Sequence, residues 1–406
     1  MTRGTISNRS AYALMAAVIG LALFASAAPS PLYGTYSALW GLSPVVLTLV
    51  YAIYAIGVLA SLLLAGPVSD HVGRRPVLLV SLSALMAATV LFIAADSVVW
   101  LLLARGLQGL ATGLTLGAAS AALLDLHPRR DPSEVGLANG VVSAGGLGLG
   151  ALVSALIVEL LPAPRVLPFV ALFVLFALAL AGAARMPEPV EHRSRLHLAP
   201  QRPHVPESVR PAFLLAALAV TSSWSIGGLV LALGPQLAAS LFHSTDHLVG
   251  GIGVFALAGP AALAQVAMRR TAPWAGAVGG SLALAAGLLT VVAAVSAGSG
   301  PLYVGGTIFA GAGFGVAFLG ALRALSAVIP PEHRSSVMSA FYVVAYASLS
   351  LPAILAGVVD TRLGLDDTFA LFGAVVAALA LAVAGQAWRT RPRAAVVVAR
   401  GCPQSA

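Results

Sequence analysis

No lysine occurs in this 406-residue chain, and all 22 basic side chains are arginine. Charge of either sign is scarce: charged residues make up 9% of the sequence, against about 25% in an ordinary soluble domain. With 59% hydrophobic residues, the chain has too little charge to clothe a water-facing surface, so it is read as an integral membrane protein. Cysteine is limited to Cys402 in the tail, which excludes a disulfide, a thiolate metal cluster or a cysteine nucleophile within the chain. Histidine is missing from the apolar runs, because all eight fall in predicted loops or tails. No H-E-x-x-H or other metal-binding pair therefore stands on a span. None of the 14 acids lies in the middle of a run, with Asp125 and Glu159 near run ends. An intramembrane enzyme would lack its nucleophile, metal site or buried acid pair. A nucleotide-driven pump would lack the G-x-x-x-x-G-K-[ST] loop. No catalytic residue, metal or cofactor is expected.

Long apolar runs dominate what is present. They fall at about 11–28, 43–64, 77–95, 98–124, 135–158, 166–184, 211–233, 248–267, 274–297, 301–328, 337–358 and 368–388, twelve in all. Each approaches the ~20 residues a helix needs to cross hydrocarbon. Lipid supplies no hydrogen-bond partners, so such runs must be helices, and the alternating pattern of an outer-membrane barrel is absent. The first run follows Arg3 and Arg9 and ends in ASAA before Pro29, like a secretory signal. An internal repeat argues for a span instead, since it needs this run as partner of the seventh.

Overlaid at an offset of 202, Gly57 falls on Gly259, Gly109 on Gly311, Gly113 on Gly315, Pro128 on Pro330, and Val141 and Val142 on Val343 and Val344. The proline-rich polar segment 185–210 divides the two copies. The expected organisation is a first six-helix half at 1–190, a cytoplasmic linker at 191–210, a second half at 211–390 and a tail at 391–406. Arginine sets the orientation: with the N-terminus inside, eighteen arginines fall in inner loops and tails and two, Arg165 and Arg362, in outer loops. By the positive-inside rule both termini are cytoplasmic. The net charge of +8 is thus a matter of topology rather than of nucleic-acid binding. Composition rich in Ala, Gly, Leu and Arg matches a GC-rich bacterial genome, and the expected location is a bacterial plasma (inner) membrane, multi-pass.

The loop AGPVSDHVGRRP, 65–76, carries Gly66, Asp70, Gly73, Arg74 and Arg75 in the spacing G-x-x-x-D-x-x-G-R-R, with Pro76 opening the next helix. This resembles the loop between the second and third helices of the major facilitator superfamily of secondary transporters. A plain positive-inside turn needs the glycines and arginines but not the aspartate. The resemblance implies that Asp70 faces the cytoplasmic end of a helix of the other half, here the one starting near Ser335, and that Arg74 pairs with an acid at the end of the fourth helix, here Asp125. Together these residues would form a conformational latch. The corresponding loop of the second half, 268–276, keeps arginines and has no acid.

On the fourth run, Arg105, Gln108 and Gly109 match the R-x-x-Q-G pattern of drug and proton antiporters of the superfamily. An arginine at mid-membrane costs about 2.5–3.5 kcal/mol on insertion scales, so it faces a cavity or a partner, or is braced by carbonyls of a neighbouring helix. Gly109, Gly113 and Gly117 form a small-residue packing stripe. The glycine-rich fifth run, 138–154, follows no strand and misses the dinucleotide spacing, which excludes nucleotide binding. It also lacks the Gly-Pro pair of the antiporter pattern. Polar and aromatic residues inside runs complete the cavity candidates: Tyr51, Tyr54, Asn139, Trp224, Gln265, Tyr342 and Tyr346. Tyr51 with Tyr54, and Tyr342 with Tyr346, share helix faces, as interfacial belts or as cavity lining. The expectation is an all-α, twelve-span secondary transporter of small molecules working by alternating access. Proton-coupled export of amphipathic or drug-like compounds is the first reading, and import or facilitation of a small metabolite such as a sugar or organic acid is the alternative. The expected partners are the lipid bilayer, a small-molecule substrate and protons, with no nucleic acid, and the chain is expected to be a monomer.

Overall fold

In the computed structural model of the chain, residues 6–65, 68–190, 203–330 and 333–391 are described. Regular structure among them is entirely helical. The first half comprises α1 (Asn8–Ala27), α2 (Tyr33–Trp40), α3 (Pro44–Ala65), α4 (Val68–Val72), α5 (Arg74–Ile93), α6 (Val98–Leu126), α7 (Pro132–Leu160) and α8 (Leu167–Ala183). The second comprises α9 (Arg210–Leu241), α10 (His247–Ala267), α11 (Pro273–Ser296), α12 (Gly300–Ser326), α13 (Arg334–Leu363) and α14 (Leu365–Arg389). Among the described residues eleven helical segments are long and apolar enough to span a membrane, and α8, with 17 residues, is a shorter apolar helix at the lower limit of about 17–25 residues.

Two boundaries differ from the sequence reading. The first span does not end at residue 28: a single 3-10 turn at Ser30–Leu32 carries the chain into α2, which stops at Gly41 in the left-handed region (φ 62°). The sequence reading ends the first run before Pro29, yet Pro31 sits in the first turn of the new element, where its missing donor is not needed. The seventh span runs on to Leu241 with Pro235 inside it, because neighbouring helices in a bundle re-satisfy the backbone groups a proline frees. Two histidines also move from loops to helices, His71 into α4 and His247 to the start of α10.

The halves repeat one packing pattern. α1 packs on α7, α3 on α6, and α5 on both α6 and α8; correspondingly α9 packs on α13, α10 on α12, and α11 on both α12 and α14. Glycine makes the tightest of these crossings possible. A methyl group at Gly109 would overlap the carbonyl of Tyr54, and one at Gly311 that of Leu257. Gly113 and Gly315 do the same one turn on, so the repeat read at these positions is a repeat of helix contacts. Gly117 departs from the expected stripe and faces open space. The seam between halves is formed by α3 against α13 and α7 against α10. α7 is glycine-rich because it serves two partners: Gly146 and Gly150 abut the backbone of Gly20 and Phe24 on α1, while Gly140 and Gly148 admit Gln265, Phe255 and Ala258 of α10.

Candidate functional site

Three constellations emerge, beginning at the arginine-rich face. Gly73 adopts φ 110°, a conformation that favours glycine, and turns the chain from α4 into α5. Its missing side chain also admits Glu188, which follows α8 and was not singled out in the sequence. The Glu188 carboxylate accepts from the backbone N–H of Arg74 (2.9 Å), Arg75 (3.1 Å) and Val190 (3.2 Å). It therefore satisfies the orphan donors that begin α5 and places negative charge at that helix's positive end. Arg74 donates through Nε to Asp125 (3.1 Å) and through Nη1 to Ser69 (2.7 Å) and Asp70, while Arg75 donates to the Ala184 carbonyl. The Arg74 side chain is 10% exposed and Asp125 30%, whereas Asp70 is 58% exposed. The Arg74–Asp125 pairing is thus in place. Gly66 and the side chain of Ser335 lie outside the described residues, and with them the expected contact of Asp70 across the halves.

The second constellation surrounds Arg105 on α6, which is fully buried (0% exposed). Its Nε donates to the Tyr33 hydroxyl (3.1 Å), Nη1 to the Ser26 carbonyl (2.9 Å) and Gln108 Oε1 (2.8 Å), and Nη2 again to Tyr33. Four of the five guanidinium donors are thereby engaged. Gln108 in turn donates to the Ala25 carbonyl (2.9 Å). That carbonyl is available because Pro29, four residues on, has no N–H to offer it. The cation sits at the C-terminal end of α1, where the helix dipole favours positive charge. The rings of Tyr54, Tyr33 and Phe92 surround it at 5.4, 5.6 and 5.9 Å. Sequence reasoning missed Tyr33, whose contact spans 72 positions and whose run was read as a loop.

The third lies on the seam. Tyr54, Tyr346, Tyr342 and Trp224 form one aromatic cluster joining α3, α13 and α9. Trp224 stands edge-on to Tyr346 at 5.2 Å and tilted to Phe318 at 5.7 Å. These tyrosines occupy the interior rather than an interfacial belt. Tyr51 is buried in a different hydrophobic cluster, one that also holds Ala27, Ala151 and Leu231. Among the described residues the Trp224 indole N–H and the hydroxyl of Ser223, the preceding residue, have no hydrogen-bond partner, and such buried groups are costly unless something satisfies them. Gln265 lies apart, between α10 and α7. Its amide donates weakly to Ala261 (3.3 Å) and its Oε1 is unpartnered next to Gly140, with half-buried Asn139 adjacent in sequence. No cluster of metal-binding side chains occurs among the described residues.

Two packed six-helix halves of membrane-spanning length meet at an aromatic seam, with a charged network on one face, the architecture of a membrane transporter. Comparison with known proteins agrees. A family model described as Major Facilitator Superfamily matches residues 13–353, and the chain belongs to that superfamily. One relative, Multidrug resistance protein D of Escherichia coli (strain K12), is 38% identical over 101 residues, a stretch covering 25% of this chain and 24% of that protein. The matched stretch is thus about a quarter of either length. Among solved structures, the human organic anion transporter MFSD10 (TETRAN) aligns with a TM-score of 0.68 at 18% identity, covering 94% of this chain and 100% of that one. The proton:xylose symporter XylE bound to 6-bromo-6-deoxy-D-glucose aligns with a TM-score of 0.72 at 15% identity, covering 95% and 97%. At these identities the likeness is one of fold.

Proposed function

We propose that this chain is a proton-coupled exporter of amphipathic, flat, neutral or anionic molecules, bound at the seam between halves by the cluster of Tyr54, Trp224, Tyr342 and Tyr346. The observation that carries this reading is the unpartnered buried indole N–H of Trp224 on α9, within the aromatic cluster. An aromatic cargo bearing an acceptor would stack on the rings and take the indole N–H. Cargo charge follows from what surrounds the cluster. Asp125, Glu134, Glu159 and Asp360 all stand near helix ends, and the charge at depth is Arg105. A desolvated cation would find no counter-charge there. With its donors engaged by Tyr33, Ser26 and Gln108, Arg105 acts from behind the Tyr54 ring, through its field, rather than as a direct ligand. The local likeness to a multidrug resistance protein supports export over uptake of a sugar, although the fold neighbours include a sugar symporter.

Everted vesicles from cells producing the protein test this reading. Neutral and acidic fluorescent amphiphiles should accumulate when a proton gradient is imposed, collapse of the gradient should stop them, and Trp224→Ala should reduce uptake without reducing the amount of protein inserted. Transport of permanently cationic dyes alone, unaffected by Trp224→Ala, would refute it, and uptake of sugars into right-side-out vesicles would favour the importer reading.

A further inference from the structure

On the face away from the arginine-rich loops the two halves also meet through polar groups. α7 ends at Leu160 and α10 begins at His247, so the end of a first-half helix meets the start of a second-half helix. Glu159 Oε2 accepts from the backbone N–H of His247 (3.1 Å) and lies 3.2 Å from its Nδ1. His247 Nε2 lies 2.9 Å from Thr35 Oγ1 on α2. A carboxylate is acceptor-only, so Nδ1 carries a proton; in the neutral ring Nε2 then accepts from the Thr35 hydroxyl. Both ring nitrogens are spent on the opposite half.

We propose that Glu159, His247 and Thr35 form a clasp that holds the two halves shut on this face and lets go when they rock apart. The placement of Glu159 is the main support. A carboxylate in the last turn of α7 stands against that helix's own negative end, an unfavourable position in isolation. Its compensation is the positive N-terminus of α10, which belongs to the other half and is within reach only while the face is closed. The contact therefore differs between states, as a switch requires. Glu159 and His247 are 35% and 32% exposed, so water can replace each partner on opening. The neighbouring acid, Asp246, is already committed as the cap of α10, accepting from Leu248 N–H at 2.7 Å, and the Ser244 hydroxyl accepts from Asp246 N–H at 3.1 Å. A second link on the same face supports the assignment: Ser30 Oγ donates to the Leu231 carbonyl on α9 at 2.6 Å, fully buried. Ser30 and Thr35 flank Tyr33, the residue that receives Arg105, so one short segment grips the second half on one side and the buried cation on the other. By contrast, the described hydrogen bonds of Arg74 and Arg75 at the arginine-rich face stay within the first half.

The clasp goes beyond the cargo reading and is tested without cargo. In the full chain with Cys402→Ser, spin labels at Asp96→Cys and Ser296→Cys, exposed positions on this face in opposite halves, report the opening by pulsed electron–electron distance measurement in lipid nanodiscs. Glu159→Ala and His247→Ala should each raise the long-distance population about two- to fivefold, the range of half-exposed polar pairs, and the double variant should add little to either. Thr35→Val removes only the outer link and should give a smaller shift in the same direction. Distance distributions that superimpose on the parent in Glu159→Ala and Thr35→Val would overturn the clasp, whatever the protein is found to carry.

Discussion

Substituting alanine along the small-residue stripe of α6 separates contact from mere helix composition. At Gly113 a new Cβ would stand 2.7 Å from Ser61 Cβ and 2.8 Å from the Val58 carbonyl oxygen, whereas at Gly117 it would meet nothing within 4 Å. Real Cβ atoms essentially never approach closer than 3.0 Å, and the carbonyl is held in α3, so α3 and α6 must part. Overpacking of this kind costs about 1–3 kcal/mol. The gain in helix propensity, about 0.8–1.0 kcal/mol, is common to both sites and drops out of their difference. Gly113→Ala should therefore fall below Gly117→Ala by about 2 kcal/mol. In domains of 150–250 residues, about the size of one half, that corresponds to roughly 4–8 °C in melting temperature. Gly109→Ala, overlapping the Tyr54 carbonyl, should fall lower still. Heating detergent-solubilised protein and following the monodisperse peak by fluorescence-detected size exclusion gives the comparison. If Gly113→Ala and Gly117→Ala melt together, the close crossing of α3 and α6 is not what these glycines are for.

We propose that Asp70 serves a conformational latch rather than the cargo site; on that reading Asp70→Asn should slow transport while leaving cargo affinity within a few fold, and a large loss of binding in correctly inserted protein would contradict it. Glu188→Ala removes the cap of α5, worth about 1 kcal/mol, and should speed hydrogen exchange of the Arg74, Arg75 and Val77 amides about fivefold; unchanged exchange would mean the cap is idle. With Cys402→Ser, Thr245→Cys should react with an impermeant maleimide in intact cells and Ser133→Cys should not, and the reverse would invert the orientation taken from arginine.

Much of this architecture is legible in the sequence because a membrane helix declares itself by length and composition alone. Gly109 and Gly113 matched to Gly311 and Gly315 also carried the repeat, since close crossings leave glycine no substitute. What stayed hidden is partner identity across long separations. Glu188 lies 114 positions from Arg74, in a proline-rich stretch that reads as linker, and nothing in its neighbours marks it as a helix cap. Tyr33 was masked by Pro29, before which the first run reads as ended although the helix restarts. Gly117 shows the opposite error: a period of four residues predicts a shared face but not that a neighbour stands against every turn of it, and at Gly117 none does. Bracing of Arg105 by carbonyls of a neighbouring helix stood among the readings of the sequence, and the Ser26 carbonyl bears it out; which carbonyls, and the Tyr33 hydroxyl beside them, stayed hidden because backbone acceptors are invisible to side-chain patterning.

The shortness of α8 has a consequence outside the protein. Its 17 residues extend about 26 Å, against a hydrocarbon thickness of about 30 Å, while its counterpart α14 has 25 residues and extends about 38 Å. Both present apolar side chains outward, Val174 and Leu178 on one and Val375 and Leu381 on the other. A span this short is met by thinning of the bilayer or by snorkelling of flanking residues, and exposed Arg165 and Arg185 stand beyond the two ends of α8, a demand that α14 does not make. Each such mismatch carries a cost of fractions of a kcal/mol per ångström. The two flanks therefore select different annular lipids, and lengthening the acyl chains strains the α8 flank first, so membrane thickness becomes a mechanical load applied to one half of the molecule alone.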